Sequence, residues 1–429
     1  MLWVAARRPR SYPLRVLSVA LRRAVAPSLC VLVAALAAAL PSAAPARHGG
    51  AAKPKGAKSV LAVSNNWEGT IDLVDPHTFK KLRQINVVPD LDERMLEIAT
   101  NPERLAYFLA IRQEIGEGHD QLVDDAFTSP DGRLIYVSRP SLADVVAIRL
   151  RDGKIVWRTP VDGQRADHMA ISHDGRTLLV SASTANVVDV LDTNTGEITH
   201  RIPSGDSPHE SNYSADGRRI FHASIGLVYT PTDDPALDST KGDRWFEVIN
   251  ARTYKVMKRI DMGQKLAEAG YPGMSSAIRP MAIAPGDRWF YFQLSFFHGF
   301  VEYDLKNNRI TRVAQLPKRT HEPRENYLLD SAHHGLAINP SGKRLCAAGT
   351  MDGYAAIVSR KTFRYKIIPV GHVPYWATNS ADGRYCFVSV AGDDKVAVIS
   401  YRRRKLVATI HVGDHPQRMR MGHIRRAFL

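Results

Sequence analysis

Ser129-Pro-Asp-Gly-Arg133 comes back along the chain as Ser172-His-Asp-Gly-Arg176, Ser214-Ala-Asp-Gly-Arg218, Asn339-Pro-Ser-Gly-Lys343 and Ser380-Ala-Asp-Gly-Arg384. A degenerate copy stands at Ala284-Pro-Gly-Asp-Arg288. Gly132 and Gly175 are 43 residues apart, Gly175 and Gly217 are 42, and Gly342 and Gly383 are 41. A constant period of this kind marks an array of supersecondary units rather than separate domains. Asp-Gly between two apolar runs is a hairpin signal, because glycine accepts the positive φ of a tight turn without steric cost.

Outward from each turn the pattern stays β. After Ser172–Arg176 come Leu178-Leu-Val-Ser181, a polar loop, and the alternating run Val187-Val-Asp-Val-Leu191. A second turn, Asp192-Thr-Asn-Thr-Gly196, leads to Ile198-Thr-His-Arg-Ile202. Period-2 alternation, β-branched enrichment and turn residues every 8–12 positions predict all-β structure. A four-stranded unit of this length is a propeller blade. Seven such units fit into residues 59–429, so the chain is read as a seven-bladed β-propeller. The first unit, from Ser59-Val-Leu-Ala-Val-Ser64, has no innermost strand before it. Gly413-Asp-His-Pro-Gln-Arg-Met-Arg-Met421 matches Gly371-His-Val-Pro-Tyr-Trp-Ala-Thr-Asn379, so a C-terminal strand within 414–421 is expected to close the first blade.

Two longer stretches carry a family resemblance. They are Leu179-Val-Ser-Ala-Ser-Thr-Ala-Asn-Val-Val-Asp-Val-Leu-Asp192, ending Ile202-Pro-Ser-Gly-Asp-Ser-Pro208, and Val388-Ser-Val-Ala-Gly-Asp-Asp-Lys-Val-Ala-Val-Ile399, followed by Ile410-His-Val-Gly-Asp-His-Pro416. Both resemble the YVTN-type β-propeller repeat family over residues 59–421. The literal tetrapeptide is missing, with Tyr136-Val-Ser-Arg139 the nearest to it. The resemblance implies an exported or surface propeller and leaves its chemistry open.

The N-terminus agrees with export. Arg7, Arg8, Arg10, Arg15, Arg22 and Arg23 precede a short apolar core rich in alanine, and Ala44-Pro45-Ala46 offers a cleavage site. This is the three-part secretory pattern. Residues 1–46 are therefore read as a signal peptide and 47–58 as a flexible linker. No transmembrane span is expected after cleavage, and the mature chain is expected to be periplasmic or extracellular and monomeric. Those six arginines supply much of the formal charge of +15. The remaining basic runs, such as Tyr401-Arg-Arg-Arg-Lys405, are short, and nothing points to nucleic acid. Of the cysteines, Cys346 and Cys386 remain in the mature chain. Their offsets from the preceding turn glycines differ by one, which puts them on opposite sheet faces and predicts two buried thiols without a disulfide.

Long connections gather on one face. All the Asp-Gly turns lie at the bottom of the blades and are short. Insertions at 89–121, 226–243, 264–277 and 316–331 lie at the top, where long loops usually carry function. The first is expected to be helical: Asn101 caps it, Pro102 occupies its first position, and Leu105, Phe108, Leu109, Arg112 and Ile115 follow at helical spacing before Gly116 or Gly118.

Counting back from each turn aligns the residues that open the innermost strands. These are Asp124-Asp125, Asp167-His168, His209-Glu210, Arg279-Pro280, His334-Gly335, Tyr375-Trp376 and Gln417-Arg418; His333 precedes one pair, and His372 and His415 stand just before two others. The predicted ligand contacts are Asp125, His168, His209, Glu210, His334 and Arg418. Imidazoles and carboxylates from several blades suit a divalent transition metal, with His168, His209, Glu210 and His334 as its ligands. The same set suits acid, base and anion-clamp roles. Two functions follow. One is a binding scaffold of the cell envelope that recognises a protein, peptide or glycan through its top loops. The other is a metal-dependent or lactonase-like hydrolase or oxidoreductase that uses the ring.

Overall fold

The repeated turn phrase explains its own conservation of form along the chain. In the computed structural model, which describes residues 56–227, 237 and 240–429, the glycines Gly132, Gly175, Gly217, Gly342 and Gly383 all have φ between 67° and 71°. The serine opening each phrase donates Oγ–H to the aspartate two residues on, at 2.6 Å for Ser172–Asp174, Ser214–Asp216 and Ser380–Asp382. The same Oγ accepts the backbone N–H that starts the next strand, as at Thr177 (3.0 Å). Serine, aspartate and glycine thus share one turn, and each turn sets two strands antiparallel.

Seven four-stranded antiparallel sheets result, six of them with consecutive strands adjacent throughout. Blade 3 is representative: Ala166–Ile171, Thr177–Ala182, Val187–Asp192 and Ile198–Pro203. Blade 1 is closed by the chain end. Strand Pro416–Arg425 pairs with Ala57–Asn65, from Ala57 opposite Arg425 to Asn65 opposite Pro416. The pairing runs beyond the expected segment at both partners, taking in Ala57 and Lys58 of the expected linker. The expected signal peptide and most of that linker lie outside the described residues, as does the middle of the 226–243 insertion.

Burial follows from the alternation. Seven apolar clusters fill the seven contacts between blades. The contact between blades 4 and 5 is aromatic, with Phe246 in edge contact with Phe290 and Phe292 at 5.1 and 5.0 Å between ring centroids. That between blades 6 and 7 is built on small residues, among them Ala337, Ala348, Ala355 and Ala377. Cys346 and Cys386 lie in it and form a disulfide, with Cα atoms 6.6 Å apart. This corrects the expectation of free thiols. The two cysteines do occupy opposite faces of their own sheets, but in a propeller the opposite faces of successive sheets are the ones that meet.

The first insertion holds two helices where one was expected. α1 spans Leu91–Ala99 and α2 spans Pro102–Glu114. Asn101 caps α2 as predicted, accepting from Arg104 N at 3.1 Å. Phe108 is buried, whereas Leu109 is 48% exposed and Ile111 takes its place against the blades. An eighth cluster, with Ile98, Phe108, Leu122 and Leu142, seats the helices on the propeller. A third helix, α3 (Met262–Glu268), occupies the blade 4–5 crossing. Among the described residues no helix is long and apolar enough to cross a membrane.

Candidate functional site

A regular inner strand would send adjacent residues to opposite faces, so a converging ring of neighbours requires the alternation to break. It breaks where the ring residues are. The register shifts between Ala166 and Met169, between Pro208 and Glu210, between Ile278 and Met281, and between Pro374 and Ala377. These intervals contain Asp167-His168, His209, Arg279-Pro280 and Tyr375-Trp376. The closing strand shifts likewise opposite Val63–Asn65, at Gln417-Arg418. Such bulges re-aim side chains at the end of a strand. In blades 2 and 6 the inner strands start later, at Ala126 and Leu336, leaving Asp124-Asp125 and His333-His334 free of sheet alternation.

The result is a central polar cluster at the top of the channel. His168 Nδ1 lies 2.6 Å from Asp124 Oδ2 and 2.9 Å from Asp167 Oδ1. His168 Nε2 lies 2.9 Å from His209 Nε2, and Arg418 Nη2 contacts the same His168 nitrogen. Arg418 Nε donates to Asp124 Oδ2 at 3.1 Å. The His209 and His334 rings stand perpendicular with centroids 5.8 Å apart, and Tyr375 packs on His334 at 4.4 Å. Arg165 pairs with Asp167 at 2.5 Å. Asp124, Asp167, His168, His209, His334 and Arg418 are each exposed by 5% or less.

Neighbouring charges separate the three imidazoles. Burial and the Arg418 charge oppose the His168 imidazolium, but Asp167 and Asp124 outweigh them and its pKa is raised. His209 is held well down by burial, and next by the His168 charge. Burial again, then Arg418, Arg279 and His168, hold His334 well down. Burial works against the Asp167 carboxylate too, yet Arg165 and His168 keep it well below the usual carboxylate range. The carboxylates thus pull His168 in the opposite direction from His209 and His334.

Two of the predicted contacts turn elsewhere. Asp125 receives Arg420 in a bidentate pair (2.8 and 2.6 Å) and accepts from Met169 N of blade 3 at 3.2 Å. Glu210 accepts from Met281 N of blade 5 at 2.8 Å and from Asn212 at 3.1 Å. Each carboxylate ties its blade to the next, and Glu210 does not join the histidines. His415 stacks on Trp67 at 3.7 Å, with His119 on the other face at 3.8 Å, and His372 pairs with Asp393 at the surface; neither belongs to the cluster.

Below the cluster lies a cavity of about 450 Å³. Glu210, Trp376 and Arg420 line its upper end, and His173, Ala215 and Asp287 of the bottom turns line the other. Arg418 stacks on Trp376, its guanidinium carbon 4.0 Å from the ring centroid. Trp376 joins the cavity to the cluster through Arg418, and the cavity is lined from there down to the Asp-Gly turns; the cluster forms its ceiling without lining it directly.

A second polar cluster sits between blades 5 and 6 at the top. His298 Nδ1 and His333 Nε2 lie 2.7 and 2.9 Å from the same oxygen, Asp352 Oδ2. Sequence reading singled out His333 only as a neighbour of His334 and missed His298 and Asp352. The available signal was their place in the loops between the second and third strands of their blades, which open on the same face.

No protein-family model matches the sequence, and no curated protein matches it. The fold is similar to that of hydrazine synthase from Kuenenia stuttgartiensis, with 18% identity and a TM-score of 0.56 over 80% of this chain and 92% of that one. It is also similar to dihydro-heme d1 dehydrogenase NirN, solved in complex with DHE, with 12% identity and a TM-score of 0.51 over 82% of this chain. This chain spans 63% of the length of the NirN chain. At these identities the likeness is one of propeller fold.

Proposed function

We propose that this protein is an exported binding propeller of the cell envelope, and that it takes a small anionic group against the ceiling of its central channel. The observation that carries this reading is a surplus of buried donors. Arg418 Nη1, and Nε1 of the Trp376 ring stacked on that guanidinium, are buried with no hydrogen-bond partner among the described residues. Unpaired buried donors are costly, and an acceptor-rich ligand such as a carboxylate or phosphate would satisfy them. A divalent cation fits this ceiling less well. It would stand beside the Arg418 guanidinium, which already meets His168 Nε2, in a buried site where like charges repel strongly. The anion belongs to a free metabolite or to a peptide or glycan whose remainder meets the long top insertions or the channel wall.

One observation favours a hydrolytic version of this reading. Asp124, His168 and His209 form a continuous chain at 2.6 and 2.9 Å, with a neutral ring at its end. A carboxylate-oriented imidazole pair of this kind can relay a proton from water. Turnover of small lactones and esters by the mature protein would separate this version from simple binding.

The test is calorimetric titration of the mature chain, from Arg47 onward, with small carboxylates and inorganic phosphate. At least one should bind, and Arg418→Met should weaken it about 10- to 100-fold, the value of one charge-assisted hydrogen bond. His168→Ala combined with His209→Ala should abolish binding while circular dichroism stays unchanged. Failure of every such anion to bind, or normal binding by a folded Arg418→Met protein, would overturn the reading. Sequencing the N-terminus of protein recovered from its host would test export: a chain beginning at Met1 in the cytosol refutes it.

A further inference from the structure

We infer that the cluster between blades 5 and 6 is a metal site: His298, His333 and Asp352 bind one divalent first-row transition ion. This site is separate from the channel ceiling, and the inference does not depend on the anion reading.

The three donors come from three different places. His298 ends the loop before strand Gly299–Asp304 of blade 5. His333 precedes the inner strand Leu336–Ile338 of blade 6, and Asp352 lies in the turn before Tyr354–Ser359 of the same blade. The topology alone does not require them to meet. Their donor atoms nevertheless lie within 4.8 Å of one another, and Asp352 Oδ2 is within 2.9 Å of both imidazoles. All three side chains are buried, His333 completely. Two histidines and one carboxylate form a donor set used for zinc and for non-haem iron.

The surroundings resemble a support shell. Backbone N–H groups of Arg319 (2.6 Å) and Thr320 (3.1 Å) fix the other Asp352 oxygen, leaving Oδ2 directed at the rings. Tyr327 Oη lies 2.9 Å from His298 Nε2 and can take its proton in the tautomer that frees Nδ1. Tyr354 Oη stands 3.3 Å from His333 Nε2, near enough to contribute a fourth oxygen. Gly349 keeps the space open, since a Cβ there would lie 3.2 Å from His333 Nε2. Just before His333 the chain takes two successive left-handed residues, Leu329 (φ 46°) and Asp330 (φ 57°). For Leu329, whose side chain disfavours this region, such strain is of the kind that collects at functional sites.

The contrast with the ceiling is electrostatic. At the ceiling a guanidinium meets His168 Nε2 while two carboxylates hold Nδ1; here one carboxylate oxygen is shared by both imidazoles.

The experiment uses the mature protein, stripped with chelator, loaded with Zn²⁺ or Co²⁺ and desalted. One equivalent should remain by elemental analysis, and the Co²⁺ form should show ligand-field absorption in the visible. X-ray absorption of the zinc form should show a shell of nitrogen and oxygen with two imidazoles. Asp352→Asn and His298→Ala should lose the ion, whereas Arg418→Met and the His168→Ala, His209→Ala double variant should keep it. If His298→Ala does not fold, Tyr327→Phe provides the milder change, with affinity expected to fall about 10- to 100-fold. A wild-type protein that retains less than about a tenth of an equivalent overturns the proposal. So does an ion kept by folded Asp352→Asn but lost from the ceiling double variant, which would move the metal to the channel.

Discussion

His333 and His334 are consecutive in sequence and equally buried, yet they enter opposite environments. His334 joins a ceiling to which all seven blades contribute, where Arg418, Arg279 and His168 lower its pKa after burial has done the most. His333 joins a site built from two adjacent blades, where burial also lowers its pKa but Asp352 pulls the other way. At the ceiling guanidinium and carboxylate groups both meet the imidazoles, whereas at the lateral site two imidazoles share one carboxylate. The difference shows that a His-rich stretch says little about ligand type until the charges facing each ring are known.

The largest expected effect breaks this comparison at its weak end. The ceiling needs the closed ring, because Arg418 comes from the last strand; the lateral site does not. Deleting 416–429 removes that strand, bares the inner edge of blade 1 and takes Met419 and Ile424 out of two apolar clusters. We expect insoluble protein, or a Tm lower by about 10 °C or more, and no anion binding. A truncated chain that melts with the full mature form and still binds an anion would mean that the ceiling owes nothing to closure.

How much of this could be read beforehand depends on range. The Asp-Gly phrase and its period are local, and they gave the blades, the closing strand and the seven ring positions, because a turn fixes the register of the strand behind it. Direction was harder. Asp125 and Glu210 occupy ring positions but cap backbone N–H groups of the next blade, at Met169 and Met281. Whether a carboxylate faces the channel or its neighbour is decided by a bulge, and no residue pattern announced the bulges. His298 and Asp352 were invisible for a further reason: they are 54 residues apart, in loops without a repeat to align them. The cysteines show the same limit, since opposite faces within two sheets became one shared interface when the sheets were stacked.

A smaller effect should separate the two sites without touching the fold. His333→Ala should abolish metal retention and leave anion binding within about twofold, and His334→Ala should do the reverse. Each removes one partner from a buried polar group, so each should cost about 1–3 kcal/mol in urea denaturation. If either variant loses both ligands, the sites are coupled through the dipeptide and the contrast drawn here is too sharp.

The smallest effect isolates burial from charge. His222, in blade 4, belongs to neither cluster: its ring lies between Ser204 Oγ (2.8 Å) and Ser211 Oγ (2.9 Å). Burial pushes its pKa down to about 3 from the ordinary 6.5, against a backbone hydrogen bond at Glu210 that raises it. The unfolded chain therefore takes up a proton on this residue below pH 6.5, and the folded chain does not until about pH 3. Its contribution to stability is complete above pH 6.5 and is lost progressively as the pH falls through that interval. At pH 5 the loss amounts to at most about 2 kcal/mol. Urea denaturation of wild-type protein and His222→Gln at pH 7.5 and pH 5 measures it. The variant is less stable at pH 7.5 because its serine partners are disturbed, but its further decline on acidification should be smaller than that of wild type by about 1–2 kcal/mol. Equal declines would show that this ring is already protonated, or solvated, in the folded chain. The histidines of the two clusters could then no longer be compared on the assumption that burial acts on all of them alike.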